Sequence, residues 1–180
     1  MKRMKRLLLV AAMMMTAVAN VNAQDEYTNE VGVTYGFGAI SDILSTFTGA
    51  LSPGDQTGFW GPVGVEYYHF VSPSIGVGGV ATLTGCKWGT KNDYKTMYIS
   101  VMPSLKWSWL RKEHFGLYSK AAAGIMIVSN LPEKDKSKSA TYFTGQVSAL
   151  GMEVGTSVRC FLEAGFGEQG MLVAGLRYKF

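Results

Sequence analysis

Seven charged residues stand inside segments whose other positions alternate between apolar side chains and small or polar ones. These residues are Glu30, Glu66, Lys106, Lys120, Arg159, Glu163 and Arg177. Each charge shares the parity of Gly, Ser and Thr, not that of the apolar residues. Three carboxylates and four cations on one enclosed face must pair, because a buried charge without a partner is costly. The pattern predicts an ion-pair network that fills an interior, and the functional alternative is a gated path for protons or ions.

The residue types give little support for catalysis, metal binding or phosphate binding. The two histidines, His69 and His114, are predicted near strand ends, far from a serine and an acid that could complete a nucleophilic site. No His, Cys or carboxylate grouping has metal-ligand spacing, and the glycine-rich stretches precede no predicted helix, as a phosphate loop requires. We expect no enzyme activity, no metal and no cofactor. A lipid-modifying enzyme that uses a histidine is kept as an alternative.

The elements that carry the seven charges have a period of two, which is typical of β-strands. In residues 31–37, for example, Val, Val, Tyr and Phe alternate with Gly, Thr and Gly. The alternation recurs and predicts eight strands joined by connections that alternate in length, as in an up-and-down barrel. The predicted connections are 40–57, 71–74, 87–93, 108–114, 129–141, 152–156 and 167–170. The connection at 108–114 is longer than a tight turn requires.

Composition excludes several classes of protein. The chain has 180 residues, of which 47% are hydrophobic and 17% charged, so it is not a disordered chain. Its 22 glycines suit the strong curvature of a small barrel. The formal net charge of +4 comes from four basic residues within 1–6, since the other 13 basic residues balance the 13 acidic ones. The rest of the chain has no net charge, so its charge gives no reason to expect a nucleic-acid partner.

The basic start of the chain is typical of an export signal. A positive segment at 1–6 precedes an apolar segment at 7–19, and small residues at Val21 and Ala23 predict cleavage between Ala23 and Gln24. Thirteen apolar residues are too few to cross a hydrocarbon layer of about 30 Å as a helix. We therefore predict a signal peptide at 1–23 and one barrel domain at 24–180.

Alternation alone does not reveal which face of the barrel meets water. Apolar positions face the core in a soluble barrel and face lipid in a membrane barrel. Aromatic residues that cluster at strand ends favour the membrane barrel. The expected inner girdle is Tyr67, Trp107, Trp109, Phe115, Tyr178 and Phe180, and the outer one is Phe37, Phe59, Phe143 and Phe166. The alternative is a soluble, secreted, lipocalin-like barrel that holds a small apolar ligand.

The end of the chain carries a family resemblance. Gly175, Tyr178 and the final Phe180 resemble the C-terminal insertion signal of outer-membrane β-barrel proteins, although Val173 stands where that family often has a polar residue. Over residues 27–180 the chain resembles the small eight-stranded barrels of the OmpX and OmpA-transmembrane type. The resemblance implies an all-β, antiparallel, up-and-down transmembrane barrel in a Gram-negative outer membrane. It also implies contact with membrane lipids, lipopolysaccharide and the barrel-assembly machinery.

The predicted loops at the outer end suggest a role in interaction. Within the first loop, Ile43, Leu44, Phe47 and Leu51 have helix-like spacing and form a candidate apolar contact for a partner; a short helix over the barrel mouth is the alternative. We expect the charged run at 132–138 to be solvated, and the alternative is contact with lipopolysaccharide phosphates. An eight-stranded lumen is too narrow for a general porin. Cys86 and Cys160 are expected near opposite rims, beyond the reach of a disulfide.

Overall fold

The polypeptide forms a closed barrel of eight antiparallel strands in a computed structural model that describes residues 28–39, 56–88, 94–131 and 138–180. The strands are β1 (Asn29–Phe37), β2 (Gln56–Ser72), β3 (Ile75–Trp88), β4 (Tyr94–Arg111), β5 (Phe115–Leu131), β6 (Lys138–Gly155), β7 (Val158–Gly167) and β8 (Leu172–Lys179). Each strand pairs with the next, and β8 pairs with β1 to close the barrel. This confirms the predicted fold class. The predicted signal peptide, with Ala23 and Gln24, lies outside the described residues.

The connections differ between the two ends of the barrel. At one end, here called the turn end, the strands are joined by residues 73–74, 112–114 and 156–157. Asn29 and Phe180 exchange backbone hydrogen bonds of 3.0 and 2.9 Å at this same end. At the other end, here called the loop end, the connections are 38–55, 89–93, 132–137 and 168–171. Short turns at one end and longer connections at the other are typical of membrane barrels.

All seven predicted connections overlap the observed strands, four of them by one or two residues and three by four or more. Residues 108–111 belong to β4, residues 129–131 and 138–141 belong to β5 and β6, and residues 152–155 belong to β6. Strands pair through backbone N–H and C=O groups. A polar stretch can therefore continue the hydrogen-bonded ladder of a strand even where it has no apolar side chains. The turn expected at 108–114 has only the three residues 112–114. It is therefore a short turn like the others at this end of the barrel, and not the longer one that the sequence predicted.

The burial of side chains is the reverse of that in a soluble protein. The outward side chains are apolar and exposed, as with Val33 at 55%, Val101 at 56% and Leu176 at 50%. Among the strand side chains that the structure describes, no exposed one is Lys, Arg, Asp or Glu. The interior instead buries charged and hydroxyl side chains, with one small apolar cluster of Val80, Met102 and Ala122. Among the described residues, no helix has the length and apolar character needed to cross a membrane.

Glycines inside the barrel leave space for large neighbouring side chains. A Cβ atom at Gly151 would lie 2.4 Å from the ring of Tyr118, and one at Gly175 would lie 2.7 Å from the ring of Phe161. Real Cβ atoms do not approach other heavy atoms that closely. The glycine-rich parity that predicted the strands is thus also a requirement for packing the narrow interior.

We expect Gly151→Val to destabilise the folded barrel strongly. The Tyr118 ring cannot move aside easily, because it is 1% exposed and its hydroxyl donates a 2.8 Å hydrogen bond to Glu163. Overpacking of this kind costs about 1–3 kcal/mol. The measurement is the urea midpoint of the barrel refolded into lipid vesicles. Gly79→Val is the matched control, since a Cβ at Gly79 meets no atom closer than 3.6 Å. Equal midpoints for the two variants would contradict this account of the interior glycines.

Candidate functional site: the charged interior

The structure places all seven predicted charged residues inside the barrel, each at most 2% exposed. Two further residues that the sequence analysis did not name, Glu153 and Lys179, lie among them at 3% and 0% exposure. We call these nine residues the lumen cluster: Glu30, Glu66, Lys106, Lys120, Glu153, Arg159, Glu163, Arg177 and Lys179. It contains four carboxylates and five cations, contributed by seven of the eight strands.

Arg177 on β8 is the centre of the lumen cluster, since it contacts all four carboxylates. Its Nη1 lies 2.6 Å from Glu153, and its Nη2 makes a short contact with Glu66. Its Nε lies 3.5 Å from Glu30, and its Nη2 lies 3.6 Å from Glu163. One planar guanidinium therefore joins carboxylates from β1, β2, β6 and β7. A lysine ammonium has a single nitrogen and could not reach carboxylates that lie so far apart.

Each lysine of the lumen cluster bridges two carboxylates. Lys106 lies 2.7 Å from Glu30 and 3.0 Å from Glu153. Lys179 joins the same two acids at 3.0 and 2.8 Å. Lys120 lies 3.2 Å from Glu66 and 2.6 Å from Glu163. Every carboxylate of the cluster therefore contacts at least two cations, which offsets the cost of burying it.

Aromatic rings fill the space around the cations. The Lys106 ammonium lies 4.3 Å from the ring centre of Tyr118, and the Arg177 guanidinium lies 4.1 Å from that of Phe161. These are cation–π distances. Near them, the Tyr68 hydroxyl forms a 2.8 Å hydrogen bond with Ser104. The lumen is therefore packed with side chains at this level as well as being paired in charge.

Hydrogen bonds tie the lumen cluster to both ends of the barrel. At the turn end, Arg159 donates 2.8 Å hydrogen bonds to the carbonyl oxygens of Lys112 and Glu113, while it also lies 3.0 Å from Glu153. Toward the loop end, Ser148 donates to Glu163 at 2.8 Å. The side-chain oxygen of Gln146 then accepts a 2.9 Å hydrogen bond from the backbone N–H of Gln169, which holds the 168–171 connection against the interior.

The arrangement supports pairing of charge more clearly than catalysis or metal binding. In the part of the chain that the structure describes, no group of three or more His, Cys, Asp or Glu is placed to hold a metal ion. His69 contacts Asn29, and His114 lies 4.0 Å from the exposed Glu113. The prediction that the chain has no enzyme activity and needs no cofactor stays a prediction.

Sequence comparisons find no relative for the chain: no family model matches it, and no curated protein matches it. Solved structures do match its fold. The attachment invasion locus protein Ail of Yersinia pestis, solved in complex with the heparin analogue sucrose octasulfate, is 13% identical with a TM-score of 0.50. The match covers 85% of this chain and 97% of Ail. The N-terminal β-barrel domain of Pseudomonas aeruginosa OprF is 10% identical with a TM-score of 0.45, over 86% of this chain and 98% of that domain.

The chain has the fold of the small eight-stranded outer-membrane barrels. On this fold, eight of the ten predicted girdle residues are exposed near the two ends. Those near the turn end are Tyr67, Trp107, Trp109, Tyr178 and Phe180, and those near the loop end are Phe37, Phe143 and Phe166. Phe115 is half-buried, and the side chain of Phe59 lies outside the described part.

The predicted insertion signal of this outer-membrane-type barrel divides between the two faces of β8. Tyr178 and Phe180 point outward, each 50% exposed, and their rings stack with centres 5.8 Å apart. Gly175 lies against the interior ring of Phe161, on the face that carries Arg177. Packing of the lumen therefore gives a reason for this glycine that is independent of any recognition by assembly machinery.

Two further groups of predicted residues remain to be placed. The candidate partner residues Ile43, Leu44, Phe47 and Leu51 lie outside the described residues. Cys160 is free and exposed on the outward face, while the side chain of Cys86 is not among those described.

Proposed function

We propose that the protein is an integral barrel of a Gram-negative outer membrane, exported by a cleaved signal peptide, with a structural or interaction role through its outer loops. The observation that carries this proposal is the reversed burial of side chains. The exposed face of the described strands is apolar and holds no Lys, Arg, Asp or Glu, while the charges are inside. In water such a continuous apolar surface would aggregate, whereas in lipid it is stable. The loop end then faces the outside and the turn end the periplasm.

The length of the strands supports an outward role. Strands β2 to β6 have 14 to 18 residues, whereas β7, β8 and β1 have 10, 8 and 9. Beyond Gln146, the loop-end part of β6 pairs with β5 but has no pairing with β7. One side of the barrel thus extends further at the loop end. Such an extension favours contact with lipopolysaccharide or an external partner.

The lumen cluster supports a closed lumen. An eight-stranded interior is just wide enough to be filled by side chains, and here it holds nine paired charges and several rings. Passage of an ion along the cluster would require buried pairs to separate, which is costly. We therefore propose a closed plug, not a porin or a gated path.

The alternatives fit the described residues less well. A lipocalin-like barrel needs an apolar interior, whereas the lumen cluster alone holds four carboxylates and five cations. A lipid-modifying enzyme would lose its activity in His69→Ala or His114→Ala. The outward Tyr178 and Phe180 suit recognition by the barrel-assembly machinery, and the apolar belt suits contact with outer-membrane lipids.

We expect the native protein to fractionate with the outer membrane and to migrate faster on a denaturing gel when unboiled than when boiled. A closed barrel resists detergent at room temperature because its backbone hydrogen bonds are complete and its edges are paired. Fractionation of native membranes followed by paired boiled and unboiled lanes checks this. A soluble periplasmic protein without a mobility shift would contradict the membrane location.

A further inference from the structure

Three side chains near the turn end form a hydrogen-bonded group on the outer surface of the barrel. The Tyr67 hydroxyl donates to Asn29 Oδ1 at 2.8 Å, and His69 Nδ1 lies 3.0 Å from the same oxygen. Asn29 Nδ2 donates to the Thr28 hydroxyl at 3.1 Å, so both ends of the amide have hydrogen-bond partners. Asn29 and His69 are direct partners across the β1–β2 ladder. We call Asn29, Tyr67 and His69 the surface trio.

These contacts decide which nitrogen of His69 carries the hydrogen in the neutral ring. An amide oxygen only accepts hydrogen bonds, so the Nδ1 that contacts it must be the donor. In a neutral imidazole the other nitrogen, Nε2, then has a lone pair and no hydrogen. Within the described part of the chain, Nε2 has no hydrogen-bond partner. The surface trio therefore presents a hydrogen-bond acceptor outward.

The surroundings place this acceptor at the level of lipid headgroups. Tyr178 and Trp107 are exposed near the same end of the barrel, and Phe180 pairs through its backbone with Asn29. Exposed aromatic side chains at strand ends lie at the boundary between hydrocarbon and headgroups. The Nε2 acceptor of His69 therefore lies at the depth where it would meet the polar headgroup of a phospholipid.

We propose that His69 Nε2 accepts a hydrogen bond from the primary ammonium of a phosphatidylethanolamine headgroup, so that the surface trio is a lipid site in the periplasmic leaflet. This rests on the proposed membrane location. A phosphate oxygen is itself a hydrogen-bond acceptor, so it and the lone pair of Nε2 repel each other. The quaternary ammonium of phosphatidylcholine has no N–H to donate. The site therefore distinguishes headgroups by the presence of an N–H donor.

The test uses the full barrel in nanodiscs that contain phosphatidylethanolamine, its monomethyl and dimethyl forms, and phosphatidylcholine with identical acyl chains. Native mass spectrometry counts the lipids retained on release. One additional hydrogen bond predicts about five-fold enrichment of the ethanolamine lipid over the choline lipid. Both methylated forms, which keep an N–H, should also exceed the choline lipid. His69→Phe should bring the ratio to about one, while His114→Phe, at the exposed turn of the same end, should leave it unchanged.

A second measurement tests the chemistry without lipid. The side-chain nitrogen chemical shifts of His69 in detergent micelles should report hydrogen on Nδ1, and Asn29→Leu should shift the population toward hydrogen on Nε2. Equal retention of ethanolamine and choline lipids, enrichment that survives His69→Phe, or hydrogen mainly on Nε2 in the unaltered protein would each overturn the proposal. A failure of the membrane location itself is seen separately, as a soluble protein without a heat-dependent mobility shift.

Discussion

Arg177→Met is expected to lower the free energy of unfolding of the barrel by about 3–5 kcal/mol, the cost of leaving buried charges without their partner. Arg177 contacts all four carboxylates of the lumen cluster. Without it, Glu66 and Glu163 share the single ammonium of Lys120. The measurement is urea unfolding in lipid vesicles, followed by tryptophan fluorescence and by the unboiled band on a gel.

Matched variants separate this effect from a general effect of losing a cation. Lys112→Met removes a positive charge from the exposed turn at 112–114 and should leave the midpoint unchanged. If Arg177→Met does not fold, Arg177→Met with Glu66→Gln tests the same idea, because it removes one of the two carboxylates left with Lys120. The double variant should fold more completely than Arg177→Met alone. Equal stability of Arg177→Met and Lys112→Met would refute the central role of Arg177.

The fold could be predicted from the sequence because two independent periodicities agree. Alternation of apolar and small side chains defines the strands, and alternation of short and long connections defines the meander. The strand ends could not be predicted as well. Side-chain character stops being informative where β5 and β6 leave the apolar belt, yet Ser129 still pairs with Ser139 through the backbone.

The two residues missed in the lumen cluster were missed for different reasons. Lys179 has the same parity as Arg177, so the alternation that placed Arg177 inside also indicates Lys179. Glu153 falls within the connection predicted at 152–156, so no face was assigned to it. An irregularity of the ladder between Ser148 and Leu150 also shifts the register of β6 against β7 by one residue. Such a bulge inverts the parity of every later residue in the strand, and nothing in the local sequence marks it.

Which acid meets which base was beyond sequence reasoning altogether. Alternation says that a side chain lies inside or outside, but not where it lies around the barrel. Arg177 on β8 and Glu66 on β2 are separated along the chain by 111 residues and meet because the barrel is closed and narrow. Closure at the β1–β8 seam therefore completes the pairing, since it brings Lys179 against Glu30.

The last strand performs two tasks on its two faces. Its outward face carries Tyr178 and Phe180, and its inward face carries Arg177 and Lys179. A shift of one residue in its register would exchange these faces and place two cations in lipid, which is costly. The lumen cluster thus favours one register for the strand that closes the barrel. This gives the buried charges a role in specifying the structure as well as in neutralising one another.

Glu153→Gln is expected to destabilise the barrel by a similar amount, about 3–5 kcal/mol, although the side chain keeps its shape. Glu153 contacts Lys106, Arg159, Arg177 and Lys179, so its loss leaves three carboxylates facing five cations. Glu113→Gln is the matched control, because Glu113 is 84% exposed in the neighbouring turn. The urea midpoint in lipid vesicles should fall for the first variant and not for the second.

A double-mutant cycle then shows whether Glu153 acts through its cations. Lys106→Met alone removes a partner of Glu30 and Glu153, whereas in the presence of Glu153→Gln it removes a cation that is in excess. The combined loss of stability should therefore be smaller than the sum of the two single losses, by about 0.5–3 kcal/mol for residues in contact. Strictly additive losses would mean that Glu153 stabilises the barrel by packing and not by charge. Because Lys106 and Glu153 come from β4 and β6, which are not neighbours in the barrel, such a coupling would have to cross the lumen.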